Sequence, residues 1–208
     1  MLPPIDALMQ EFTVARITVR QAIGLLREEG LVSPERGRGT LVQKLPEEHR
    51  QLRVHTTLSG LVDMYRHDLP VLTNLEETQT SPDLLDGDGK SAGHYVHMRR
   101  VHARDKSRYC VISLYIAEAI FLQAADAFRS KAALPVLCEL PGVEVKRARQ
   151  TMRIAKADAE IASLLGLPVG DPTAEVRRVL CAPDETVIYV ANVIYRGDYI
   201  HLDMDLKP

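Results

Sequence analysis

Near the start of the chain, apolar positions recur at helical spacing. Val19, Ile23 and Leu26, with Gly30 after them, fall behind a leading end that carries Arg16, Thr18, Arg20 and Gln21. The pattern predicts a helix over 16–29, about 21 Å long at ~1.5 Å per residue, with Gly30 as its C-terminal cap. A shorter helix is predicted over 4–11. Its Ile5, Leu8 and Met9 share a face with Phe12, and proline is tolerated in its first turn. The stretch 12–15 is a tight connection between the two. Leu31–Ser33 and Thr40–Gln43 read as short strands. Between them Pro34-Glu35-Arg36-Gly37-Arg38-Gly39 is a turn with two basic side chains and two glycines. Two helices followed by a basic hairpin predict a winged helix-turn-helix. A polar, partly basic helix end with an apolar back suits a DNA major groove.

The pattern changes after residue 44. Residues 45–56 are polar and mixed in charge, with Pro46, and read as a linker. Beyond it, period-two alternation predicts strands over 71–80, 94–103, 109–116, 143–154, 173–181, 186–195 and 199–206. Helices are predicted over 117–129, 132–139 and 156–165, the last ended by Gly166-Leu167-Pro168. Residues 81–93 form a loop around Asp86-Gly87-Asp88-Gly89. Strands and helices do not alternate regularly. That predicts an α+β fold, an antiparallel sheet with helices on one side. The domains expected are 1–44, a linker over 45–56, and 57–208.

Composition changes this picture little. The 208 residues carry a net charge of −2, which does not mark the whole chain as a nucleic-acid binder. The N-terminal part leans the right way, since residues 1–44 hold six Lys/Arg against five Asp/Glu. No apolar run is long enough to span a bilayer. Met1-Leu2-Pro3-Pro4 does not open a signal peptide, so a cytoplasmic protein is expected. Cys110, Cys138 and Cys181 are widely spaced and odd in number, which predicts buried reduced thiols and neither a metal site nor a disulfide framework.

From Leu2 to Val42 the chain resembles the winged-helix domain of GntR-family regulators. The resemblance rests on Leu2-Pro3-Pro4-Ile5-Asp6, Phe12-Thr13-Val14-Ala15-Arg16-Ile17-Thr18-Val19-Arg20, Glu29-Gly30-Leu31 and Gly37-Arg38-Gly39-Thr40. It implies DNA contacts from Arg16, Thr18, Arg20 and Gln21 in the helix and from Gly37, Arg38, Gly39 and Thr40 in the wing. Arginine pairs bidentately with guanine, and the wing glycines allow close approach to the minor groove. Three positions depart from the family pattern: Asp6 replaces an arginine, Ala15 a serine and Ile17 a threonine. The family's winged helix has a further helix upstream. This implies that the recorded chain is truncated at its N-terminus or that residues 1–44 are weakly folded.

Residues 57–206 resemble the UTRA effector-binding domain of the HutC subgroup, a fold similar to chorismate lyase. The match is carried by Arg147-Ala148-Arg149-Gln150-Thr151, by 164–172, and by Tyr195-Arg196-Gly197-Asp198-Tyr199. UTRA domains generally dimerise, so a homodimer is implied, as two half-sites on DNA require. The family's Arg-x-Arg anion grip falls at Arg100-Val101-His102, whose alternation puts Arg100 and His102 on one face with Met98. The two pocket glutamates fall at Ile112 and Tyr189, the pocket tyrosine at Tyr195, and the family serine at Ala132 or Ala133. Most polar sugar contacts are thus missing, which implies an anionic or amphipathic effector less hydroxylated than a sugar. His102 is expected to act as a protonatable second cation. Arg196 and Asp198 are expected to brace a turn.

The function expected is a ligand-responsive, DNA-binding transcriptional repressor that an effector releases from its operator. It has no catalytic residues, no cofactor, no metal and no membrane partner. An alternative is a sensor and dimerisation protein that has lost DNA binding. A lyase-like enzyme is disfavoured, since no nucleophile–base pair, metal spacing, phosphate loop or paired carboxylates lie near the candidate pocket.

Overall fold

The computed structural model describes residues 2–28, 31–35, 39–42, 52–53, 57–67, 70–104 and 107–201. The chain divides into two compact units, Met1–Gln51 and Leu52–Pro208. In the first, α1 (Ile5–Phe12) and α2 (Arg16–Glu28) are joined by three residues. Thr13 makes the turn in the left-handed region, at φ 53° and ψ 46°, and its N–H donates to the Met9 carbonyl. A hairpin follows, β1 (Val32–Glu35) with β2 (Gly39–Val42), paired from Val32↔Val42 to Glu35↔Gly39. Leu2 N donates to the Thr40 carbonyl at 2.8 Å, which ties the start of the chain to the hairpin. Among the unit's described residues, Val19 and Val32 alone are buried. The predicted cap Gly30 and the wing tip Arg36, Gly37 and Arg38 lie outside the described residues.

The second unit is built on β4 (Val71–Thr78), β6 (Tyr95–Arg104), β7 (Ser107–Ala117), β8 (Arg147–Lys156), β9 (Pro172–Cys181) and β10 (Thr186–Arg196). Their order is β4-β6-β7-β10-β9-β8, each pair antiparallel, and the short β5 (Lys90–Ser91) adds to β10 in parallel. Alternation sorts each strand. Cys110, Ile112, Leu114 and Ile116 of β7 belong to the main core, while Val111 joins a cluster on the opposite face. The main core is closed by α3 (Leu58–His67), α4 (Glu118–Phe121), α5 (Ala125–Ser130) and α6 (Ala133–Glu139). They contribute Leu61, Tyr65, Phe121, Phe128 and Leu137. On the other face α7 (Ala159–Leu165) sets Ile161, Ala162 and Leu165 against Val101 and Val111. Asp158 caps α7 by accepting from Ile161 N, and Gly166 ends it in the left-handed region.

The α+β class and the antiparallel sheet are as expected, but helices cover both faces because α7 crosses to the second one. Helix α3 was not predicted. Its Leu58, Leu61, Val62 and Tyr65 do keep helical spacing. The helix expected over 117–129 is two pieces. Ala124 leaves the helix at φ −150°, and the Phe121 and Phe128 rings stack with centroids 5.8 Å apart. A continuous helix would separate those residues by about 10.5 Å along its axis. The strand expected over 143–154 runs four residues later at its start, as β8. The last expected strand begins as a 3-10 turn, Gly197–Tyr199, before β11 (Ile200–His201). Within the expected linker, β3 (Leu52–Arg53) pairs in parallel with β11.

Candidate functional site: a buried cationic face and an exposed helix end

The DNA-reading residues come first in the chain. Helix α2 turns Val19 inward and leaves Arg16, Thr18, Arg20 and Gln21 exposed. Ala15 receives the first helical hydrogen bonds, from Thr18 N and Val19 N, and brings no side-chain oxygen to cap the first turn. Arg16 is not a free cation, because its Nη2 donates to Asp6 Oδ1 at 3.0 Å across the α1–α2 turn. Both side chains stay mostly in water, at 56% and 74% exposure. In the wing, Gly39 is exposed at φ 93° and Thr40 is half-buried; Gly37 and Arg38 lie outside the described residues.

The expected effector residues meet on the main-core face of the sheet. Strand register sets His102, Cys110 and Tyr195 in one row, and Arg100, Ile112 and Val193 in the next. Tyr189 lies further along, opposite Ile116. All five expected residues are buried, with Arg100 at 0% exposure and His102 at 2%. Arg100 Nη1 donates to the Phe128 carbonyl at 2.9 Å and to the Lys131 carbonyl at 3.2 Å, around the α5–α6 connection. Among the described residues its Nε and Nη2 have no hydrogen-bond partner, and neither has either ring nitrogen of His102 nor the Tyr109 hydroxyl. Burial pulls the Arg100 pKa below its ordinary value. An arginine nonetheless stays charged at neutral pH. Glu77, which acts on Arg100 electrostatically, is held bidentately by Arg129.

His102 departs from expectation. Burial, and then the neighbouring Arg100 charge, lower its pKa to about 3. It is a neutral imidazole, not a second cation. A further buried cation of this face is Arg178 on β9, which was not among the expected residues. It is 6% exposed, and its Nε donates to Gln150 Oε1 at 2.6 Å and its Nη2 to the Tyr195 hydroxyl at 3.1 Å. That hydroxyl also meets Tyr65 Oη, from α3, at 3.2 Å. The run Ala174, Val176, Arg178, Leu180 places Arg178 on the apolar face by alternation, so the sequence carried this hint. Tyr65 is hinted at by the spacing of α3. Burial pushes the Tyr189 phenol and the Cys110 thiol up to about 12. Cys110 and Cys181 are buried and Cys138 is half-buried, all free thiols.

Elsewhere in the unit the arrangement is structural. Arg196 pairs with Asp198 through two hydrogen bonds, at 3.0 and 2.8 Å, and braces the turn into β11. Asp88 anchors the 81–93 loop through Arg177, at 2.7 and 3.1 Å, and through Leu85 N. A surface trough of about 450 Å³ lies on the sheet face opposite Arg100, lined in part by Thr151, Arg153, Glu175, Arg177 and Asn192. Among the described residues no cluster of His, Cys, Asp and Glu could hold a metal ion. No described helix is long and apolar enough to cross a membrane.

Two family models match the chain: the UTRA domain over residues 73–201, and the gntR family of bacterial regulatory proteins over residues 1–42. The chain is a GntR-family regulator with a UTRA domain. Among its relatives, the HTH-type transcriptional repressor NagR of Bacillus subtilis is 26% identical, over 95% of this chain and 82% of its own length. The crystal structure of PhnF from Mycobacterium smegmatis shares the fold at a TM-score of 0.62 and 24% identity, covering 99% of this chain and 92% of that one. The effector domain of the same PhnF gives 0.62 at 19% identity, over 76% of this chain and 100% of that one. In this family the N-terminal domain binds DNA and the UTRA domain binds a small-molecule effector. The protein is thus a regulator and not an enzyme.

Proposed function

We propose that this GntR–UTRA protein is a cytoplasmic, homodimeric repressor of the HutC type, released from its operator by a small anionic effector. Residues 1–44 read DNA, with Arg16, Thr18, Arg20, Gln21 and the wing Gly37–Thr40 at the interface. Residues 57–208 sense the effector and dimerise, which supplies the second recognition helix that a two-fold operator needs. The effector lies against Arg100, His102, Ile112, Tyr189 and Tyr195. The observation that carries this reading is Arg100. It is a fully buried guanidinium with two donor atoms that find no partner among the described residues, on the core face of the UTRA domain. Buried donors and charges are costly unless something pairs with them, and an anion pairs with both. The effector must bind the released arrangement more tightly than the operator-bound one.

DNA titration at two salt concentrations tests the output. Affinity should fall steeply as salt rises, and Arg20→Ala should weaken binding. No binding at low salt by the dimer leaves the sensor-only reading instead. A thermal-shift screen of metabolites tests the input. A stabilising anion whose effect survives Arg100→Ala sinks the assigned pocket.

A further inference from the structure

We propose that Ser113 is a modification site, a serine activated by His97 to accept an acyl group from an ester or thioester bound in the trough beside it. The site lies on the sheet face opposite Arg100 and does not rest on the effector pocket. Strand register sets Arg99 of β6, Ser113 of β7 and Asn192 of β10 in one row, with Arg177 and Thr151 beyond. His97 stands in the next row, opposite Tyr115. Its Nε2 meets Ser113 Oγ at 2.7 Å, and its Nδ1 meets Thr78 Oγ1 at 3.2 Å. The ring also stacks on Tyr115 with centroids 4.6 Å apart, which fixes its plane. A nucleophile, a base in contact with it and a third group that orients the base are the parts of an activated serine. Burial lowers the His97 pKa, so the ring is neutral at neutral pH; the charged groups that act on it, Glu76 and Arg99, oppose each other. An Nδ1–H that donates to Thr78 leaves Nε2 free to accept the Ser113 proton.

This polar group opens outward. Ser113 is half-buried, and Asn192 is exposed in the middle of β10, between the buried Ala191 and Val193. Asn192 lines the trough of about 450 Å³. Directly opposed residues of an antiparallel pair stand about 5 Å apart at Cβ, which sets the Asn192 amide beside Ser113. The charges along the trough cancel, Arg153 against Glu175 and Arg177 against Asp88, so it suits an uncharged acyl group. In the transfer, Ser113 Oγ bonds to the acyl carbon and its proton passes to His97 Nε2. The carbon–sulfur or carbon–oxygen bond then breaks, and His97 returns the proton to the leaving thiol or alcohol. The Asn192 amide donates to the carbonyl oxygen while it carries negative charge. The product is an ester on Ser113, a marked regulator and not a turnover catalyst.

Treatment of the full chain with para-nitrophenyl acetate, read by intact mass and peptide mapping, tests this. One acetyl group should appear on Ser113, at least about a hundredfold faster than on the exposed Ser91 and Ser130. His97→Gln should slow that reaction about a hundredfold. Asn192→Ala should slow it at least about tenfold and leave the melting temperature unchanged, because the side chain is exposed. The Ser113 preference should vanish in urea that unfolds the chain. Acetylation of Ser113 no faster than that of Ser91 overturns the proposal, and so does a parental rate in His97→Gln or a preference that survives in urea. A hydrogen bond that is only structural would let His97→Gln lower the melting temperature without changing the acetylation rate. Asn192→Ala at the parental rate removes the acyl donor from the trough and overturns that part. Nitrophenolate released beyond one equivalent per chain, with Ser113 left free, overturns the modification in favour of hydrolysis.

Discussion

Asp6 is an acid where a groove-binding surface would favour a base, and it pairs with Arg16 of α2, the helix proposed to read DNA. DNA binding must break that pair, or leave Arg16 turned toward Asp6 and away from the phosphates. An exposed pair contributes little to folding, so its removal should show in binding and not in melting. Asp6→Asn should raise operator affinity about threefold and steepen the salt dependence by about one phosphate contact. Unchanged affinity and slope in gel-shift titrations would mean that Asp6 does not restrain Arg16. His102 makes a second prediction at this scale. Its folded pKa, about 3, lies below the value of an unfolded histidine. Above about pH 6.5 both states are neutral and no stability is lost. Between there and pH 3 the unfolded chain takes up a proton that the folded chain refuses. Stability then falls as pH falls, by up to ~1.4 kcal/mol per pH unit. Urea titrations at pH 7, 5.5 and 4.5 should show that extra slope in the parent and not in His102→Gln. Equal slopes would mean that the imidazole is protonated in the folded chain.

At the scale of elements, the 81–93 loop shows what a polar stretch can hide. Asp86-Gly87-Asp88-Gly89 reads as a flexible turn, yet Asp88 is 1% exposed and clamped by Arg177. Gly89 sits at φ 128°, and a Cβ there would lie 2.5 Å from the Glu185 carbonyl oxygen. Backbone stands in the way and cannot rotate aside. Gly89→Ala should therefore cost roughly 1–3 kcal/mol of stability. Thermal unfolding checks this, and a melting point equal to the parent's would show that the β5–β10 contact is not needed. Alternation was a good guide to the strands, and it put Arg100 and His102 on one face before any fold was known. It was a poorer guide to helices. The spacing in 117–129 suits one helix, but stacking Phe121 on Phe128 stabilises a break that local propensity does not encode. Helix α3 is only ten residues long and carries Gly60 in its first turn, so local propensity says little for it, and it is burial of Leu61, Val62 and Tyr65 against the sheet that stabilises it.

At the scale of the whole molecule, the two units differ in how much they bury. Val19 and Val32 are the buried side chains among the described residues of the first, whereas the second carries the large core around β6, β7 and β10. Calorimetry should resolve a low-temperature transition for the first unit, and hydrogen exchange should be faster in α2 than in β7. Operator DNA should move the low transition upward, since a ligand stabilises the state it binds. Protection of α2 equal to that of β7 would show one cooperative fold.

The sequence by itself determined the helix with a basic leading end, the hairpin with its glycines, and the one face on which Arg100 and His102 stand. Each of these is a local periodicity, written within a few residues. The tertiary structure alone decided that His102 is neutral, that Arg178 donates to the Tyr195 hydroxyl, that Tyr65 reaches Tyr195 across 130 residues of chain, and that Asp6 holds Arg16. Charge state and pairing depend on desolvation and on neighbours from distant strands. Alternation tells which way a side chain points; packing decides what it meets there.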